Sequence, residues 1–198
     1  MYSYIHTALD ILFPPSAEAR LVRSMSRESA TTLMAIRRKS DTTILAPFSD
    51  IRVQALIHEA KFHGSAHAYT VLAAMLTEYL KTHPAKPKSI YIPIPLSKKR
   101  MRDRGYNQVA QILAHSRLPT NTTALVRTRN TQPQTKLSRE DRRTNMHQAF
   151  SAPNPDTVRG RHVVLIDDVT TTGATLHAAT SALRHAGAAS ITTIALTG

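Results

Sequence analysis

The sequence predicts an α/β domain built on a parallel sheet, and three observations carry that prediction. The run HVVLI from His162 passes through a Thr/Gly turn into a helix with apolar periodicity from about Ala174 to His185. Gly187 stops that helix, and the run ITTIAL follows, which completes one βαβ unit. An earlier β-branched run, IYIPI between Ser89 and Pro95, reads as a buried strand. The length of 198 residues suits one α/β domain with an appendage around a single core.

Before that strand the chain divides into two stretches. From Met1 to about Ala46, a short apolar start and Pro14-Pro15 lead into the basic, Ser/Thr-rich passage RSMSRESATTLMAIRRKSDTT. That passage is compatible with helix, loop or partial disorder. From Asp50 to Lys81, Ile51, Ala55 and Ile57, then Leu72, Met75, Leu76 and Leu80, recur at helical spacing on either side of Gly64, which predicts two packed helices. Pro84 and Pro87 end them. The expected organisation is therefore an N-terminal extension over 1–46, a helical hood-like region over 47–88 and the α/β core over 89–198.

Within the core, IYIPI is followed by the basic loop LSKKRMRDRGYN, a helix from about Asn107 to His115, and ALVRT as a candidate strand. Residues 128 to 148, TRNTQPQTKLSREDRRTNMHQ, carry few apolar anchors and predict a long loop with at most one short helix.

Composition narrows the function classes. Lys and Arg number 26 against 13 Asp and Glu, a formal net charge of +13, which favours anionic partners without choosing among small polyanions, nucleic acid and acidic membranes. The absence of cysteine excludes disulfides, thiolate zinc sites and cysteine nucleophiles. No apolar run approaches bilayer-spanning length and the start lacks a basic leader, so the expectation is a cytoplasmic protein without membrane insertion.

The chemistry concentrates between Asp167 and Thr175. Asp167 and Asp168 fall at the carboxyl edge of the HVVLI strand, where open parallel sheets bind ligands. Thr170, Thr171, Thr172, Gly173, Ala174 and Thr175 then place hydroxyls and a glycine backbone at a helix start, where free N–H groups and the dipole favour an anion. No Lys follows the glycine, so this is no Walker loop, and no further glycines make a dinucleotide fingerprint. An acidic pair beside a phosphate cradle suits a phosphorylated sugar such as ribose 5-phosphate. The plain alternative is a strand followed by a capped helix that binds nothing.

The segment VVLIDDVTTTGAT resembles the signature of the type I phosphoribosyltransferases at every position. A closer resemblance, to the ComF family of competence-associated proteins, extends from Pro47 to Leu196. It runs through IRVQALIHEAKFHG, IPIPLSKKRMRDRGYNQ and RTRNTQPQTKLSREDRRTNMHQAF in the family's order. The element Arg104, Gly105, Tyr106, Asn107, Gln108 is particularly specific. LDILFPP is similar to the family's opening, but the cysteine-based zinc ribbon that usually follows is absent, so residues 1–46 stand in its place and no zinc is carried over.

The resemblance implies the type I phosphoribosyltransferase fold, a parallel sheet flanked by helices. It also implies binding of 5-phosphoribosyl 1-pyrophosphate (PRPP) together with Mg²⁺, with no metal held by the protein directly. Asp167 and Asp168 would meet the ribose 2′ and 3′ hydroxyls, and Thr170 to Thr175 the 5′-phosphate. Pyrophosphate would lie against the loop Leu96, Ser97, Lys98, Lys99 and Arg100. The long loop would close over the site and bring in Gln134, Lys136, Arg139, Arg142 and Arg143. Phosphoribosyl transfer to a nitrogenous acceptor is one implied activity, and a non-catalytic module binding PRPP and single-stranded DNA in DNA uptake is the other. The basic run also reads as a solvated surface, and Tyr106 as packing under the loop or as a stacking face. His63 and His67, one helical turn apart, read as surface histidines for want of a third ligand.

Overall fold

The computed structural model describes residues 15–128 and 149–198. Five strands form the main sheet: β1 (Arg37–Lys39), β2 (Thr42–Ala46), β3 (Ile90–Pro93), β6 (His162–Val169) and β7 (Ser190–Thr197), in the order β1-β2-β7-β6-β3. All neighbours are parallel except β1 and β2, which form an antiparallel hairpin at the edge. The other two strands, β4 (Val126–Arg127) and β5 (Phe150–Ser151), pair only with each other.

The predicted strands and the βαβ unit are present, with α7 at Ala174–His185 between β6 and β7. The N-terminal stretch, compatible on sequence with helix, loop or partial disorder, also contributes strand. It contains two short helices, α1 (Ala17–Arg23) and α2 (Ser29–Leu33), and then the β1–β2 hairpin, so the sheet begins well before Ser89. Ser16 starts α1 by accepting a hydrogen bond from the Ala19 amide at 3.0 Å. In β2, Ile44, Leu45 and Ala46 are fully buried, whereas the RRK of β1 is exposed throughout. A strand that short and that basic has no hydrophobic signature to read.

The stretch predicted as two helices holds α3 (Ile51–His58) and α4 (Ala66–Thr82), joined by a single π-helical turn at Glu59–His63. Asp50 caps α3 through the Arg52 amide, and Ser65 caps α4 through the Ala68 amide. Gly64 closes the π turn at φ 61°, a left-handed conformation suited to glycine. Two further helices follow β3: α5 (Lys98–Arg104), in the run expected to be a loop, and α6 (Gln108–Ser116).

Alternation along the strands sorts the core into two layers. Val164 and Ile166 of β6, with Ile194 and Leu196 of β7, pack against residues of α1 to α4 and α6. Val163 and Leu165, with Ala195, pack against α7 and the β4–β5 ribbon. The sheet is therefore covered on both faces, as parallel sheets require. No helix among the described residues is long and apolar enough to cross a membrane.

Candidate active site

Strand alternation sends the two carboxylates at the end of β6 to different sides. Asp168 follows Val164 and Ile166 toward the helical layer, and Asp167 follows Val163 and Leu165 toward the α7 side. Asp168 is 6% exposed and fully engaged: Lys61 Nζ lies 2.9 Å from Oδ2, and Gln108 Nε2 donates to the same oxygen. Asp167 is half-buried. Burial first, and then the neighbouring Asp168 carboxylate, push the Asp167 carboxyl up to about 7, while Lys61 and a backbone hydrogen bond pull it down.

The element from Arg104 to Gln108 is the frame for this arrangement, and each residue has a structural task. Arg104 donates to the Gln108 side-chain carbonyl, which orients the Gln108 amide toward Asp168. Gly105 ends α5 at φ 80°. The Tyr106 hydroxyl donates to the carbonyls of Ala60 and Lys61, pinning the π turn, so its ring packs rather than offering a stacking face. Asn107 accepts from the Val109 and Ala110 amides at the start of α6, and its own amide donates to Ile94 O at 2.8 Å. That one side chain ties the helix to the end of β3.

These groups open onto a cleft of about 570 Å³ lined by Lys61, Phe62, Arg100, Arg104, Arg127 and the two aspartates, together with Leu96, Asp103, Gln108 and Thr175. Four cations thus share the cleft with three carboxylates, two of them the strand-end pair. Arg127 lies over the Phe150 ring at 5.4 Å, and its burial, with Arg100 nearby, lowers its affinity for the proton while Asp167 raises it.

Of the residues expected to hold pyrophosphate, Leu96 and Arg100 line the cleft. Ser97 instead caps α5 through the Arg100 amide, and Lys98 and Lys99 are exposed and do not line the cleft. Of the expected 5′-phosphate residues, Thr175 lines the cleft. Thr170, Thr172, Gly173 and Ala174 line a neighbouring cavity of about 330 Å³ with Lys39, Thr42 and His177. Thr171 is exposed, and its carbonyl accepts from Lys39 Nζ at 2.6 Å. Gly173 stands at the N-cap of α7 with φ 77° and contributes no side-chain cap to its first amides. Gln134, Lys136, Arg139, Arg142 and Arg143 lie outside the described residues.

Sequence reasoning missed Lys61, Arg127 and Phe62. Lys61 and Phe62 stand in the segment HEAKFHG, to which the resemblance assigns no role. Arg127 falls only within a strand candidate.

An acidic strand end opposite clustered cations, followed by a glycine-led helix start, suits a phosphorylated sugar, the ligand class of phosphoribosyltransferase-type domains. Residues 106–198 match the family model described as phosphoribosyl transferase domain. The chain is 35% identical over 141 residues to competence protein F of Haemophilus influenzae, a match covering 67% of this chain and 62% of that protein. It is 35% identical over 138 residues to competence protein ComFC of Bacillus subtilis, covering 69% and 55%. The DNA utilization protein YhgH of Escherichia coli K12 is 34% identical over 146 residues, covering 69% and 63%. The chain thus spans less than two thirds of the length of these relatives. Among solved structures, adenine phosphoribosyltransferase from Leishmania tarentolae is similar at a TM-score of 0.46 and 13% identity, covering 82% of this chain and 94% of that one. The chain belongs to the ComF family, within the type I phosphoribosyltransferase superfamily.

Proposed function

We propose that the cleft binds PRPP with Mg²⁺ and transfers its phosphoribosyl group to a nitrogenous acceptor. The observation that carries this reading is the division of labour in the cleft. A half-buried carboxylate, Asp167, is available to sugar hydroxyls, while Lys61, Arg100, Arg104 and Arg127 supply positive charge for phosphates. The start of α7 adds free amides beside Thr175.

The donor set fits a magnesium complex that arrives with its own phosphate ligands. Asp167 is the carboxylate placed to meet its shell, because Asp168 is already engaged by Lys61 and Gln108. Bound Mg²⁺ would neutralise phosphate charge as pyrophosphate leaves. The chain's own part is electrostatic: Arg100 and Arg104 meet the charge that grows on the leaving group, and no protein nucleophile is needed at the anomeric carbon.

Calorimetric titration with Mg·PRPP tests the reading. Wild type should bind, and Asp167→Asn and Arg100→Ala should each weaken binding while the circular dichroism of the chain stays unchanged. Absence of binding by a folded wild type would overturn it. Release of pyrophosphate across a panel of bases and amines then tests turnover.

A second reading, a binding module for single-stranded DNA, is favoured by one observation. Helix α5, KKRMRDR, buries none of its residues and presents Lys98, Lys99 and Arg102 outside the cleft. The relatives' names, competence protein and DNA utilization protein, point the same way.

A further inference from the structure

His58, Glu59 and His63 come together at the π turn. In an α-helix, residues five apart project about 140° away from one another and do not share a face. The π turn changes this, because its i→i+5 bonding brings residue 63 back over residue 58. The imidazoles of His58 and His63 stand 5.6 Å apart between centroids, and one donor atom from each of His58, Glu59 and His63 lies within 4.8 Å of the others. His67, the partner that helical spacing suggests for His63, turns away and meets the Met25 carbonyl at 2.6 Å.

Two features of the cluster bear on what it can bind. Glu59 is 6% exposed, yet its ion-pair contact among the described residues is His63 Nε2 at 3.9 Å, too long for a hydrogen bond. His58 Nδ1 lies 2.7 Å from Glu18 Oε2 of α1, but no aligned hydrogen bond joins them. The contact has the distance of an ion pair without the direction of a hydrogen bond. A common ion would hold neighbouring ligands about 3 Å apart when each bond is about 2 Å, so Glu59 and His63, now 3.9 Å apart, would have to draw closer around it.

We propose that His58, Glu59 and His63 form a site for a divalent transition-metal ion of the zinc class, with Glu18, which lies outside that cluster but touches His58 Nδ1, rotating in as a fourth ligand. Two imidazoles with carboxylates select such an ion over Mg²⁺ or Ca²⁺, which prefer shells of oxygen. The side chains of His63, His58 and Glu18 are 57%, 44% and 48% exposed, so they are free to close the remaining distance by rotation. The ion would cross-link α1 to the turn that carries Lys61 and Phe62 into the cleft. The site stands whether or not the cleft binds PRPP.

Untagged full-length chain, freed of metal by chelation, is titrated with Co²⁺ followed by visible absorption and with Zn²⁺ followed by calorimetry. The expected result is one ion per chain with the intense absorption of a four-coordinate cobalt site, and a rise in the melting temperature. His63→Ala, an exposed change that leaves the fold intact, should weaken binding by more than the roughly 10–100-fold that even outer-shell changes cost. Glu59→Gln, which keeps shape and burial, should do the same. His185→Ala, an exposed histidine on α7, should change nothing. The proposal is overturned if wild type binds neither ion, if His63→Ala and Glu59→Gln bind as wild type does, or if His185→Ala loses binding equally.

Discussion

Lys61 and Asp168 meet at 2.9 Å across the boundary between the helical layer and the sheet, and Gln108 completes the shell of the same carboxylate oxygen. The contact fixes the π turn to the carboxyl end of β6. Burial, and then the Asp168 carboxylate beside it, drive Asp167 toward the neutral form. Two adjacent aspartates thereby acquire different chemistry, one structural and one available to ligand.

Lys61→Met should leave Asp168 buried with only Gln108 and the Val169 amide as donors. Losing one partner of a buried charged pair leaves the other uncompensated, and a cost of about 1–3 kcal/mol in unfolding free energy is expected. Urea denaturation measures it. The double variant Lys61→Met with Asp168→Asn should recover part of the loss, giving a coupling above about 1 kcal/mol in a double-mutant cycle. Additivity of the two single changes would show that the pair is not energetically linked.

Asp167 sets a pH dependence with a definite sign. Its folded value, about 7, lies above the ordinary carboxylate value of 3.8, so the folded chain holds a proton that the unfolded chain has released between those limits. Stability therefore falls as pH rises through that window, and the penalty is complete above it. Asp167→Asn should match wild type near the bottom of the window and be the more stable protein above neutrality, as melting temperatures across a pH series would show. Binding of Mg·PRPP, which favours the charged carboxylate, should release protons below neutrality, visible as a buffer-dependent enthalpy.

Asn107 joins α6 to β3 by two separable interactions. Asn107→Ala removes both and should cost about 1–2 kcal/mol, the usual effect of losing an N-cap with an added buried hydrogen bond. Asn107→Asp keeps the acceptor for the Val109 and Ala110 amides but loses the donor to Ile94 O. It should fall between wild type and Ala. Should Asp prove no better than Ala, the Ile94 contact rather than the cap is what matters.

What the sequence discloses and what it conceals follow from how local each signal is. The unit from His162 to Thr197 was legible because apolar runs, a Thr/Gly turn and Gly187 are all neighbours in the chain. Arg104 to Gln108 were legible as a group by resemblance, but their tasks were not, since the Tyr106 and Gln108 partners are Ala60, Lys61 and Asp168. Lys61 gave no sign of its role because an isolated lysine on a helix is ordinarily solvated. The π turn was invisible for a related reason: helical spacing pairs His63 with His67, and only the extra residue in the turn pairs it with His58. β1 escaped because its three residues are all basic and exposed.

The basic helix α5 separates the two functional readings. Lys98, Lys99 and Arg102 are exposed and absent from the cleft wall, whereas Arg100 and Arg104 line it. If the chain grips single-stranded DNA, affinity should fall steeply with salt, with a slope of about −0.7 in log K against log salt for each phosphate neutralised. The triple variant Lys98→Glu, Lys99→Glu, Arg102→Glu should then flatten the slope by about 2 and weaken the DNA complex strongly. Its affinity for Mg·PRPP should be nearly unchanged, because exposed charges outside the cleft act on the ligand only through screened solvent. Fluorescence anisotropy of a labelled oligonucleotide across a salt series supplies the first measurement, and calorimetry the second. A flat wild-type slope would remove the nucleic-acid reading. A steep slope that the triple variant leaves unaltered would move the DNA surface away from α5. Equal loss of both ligands would mean that the helix serves the cleft itself.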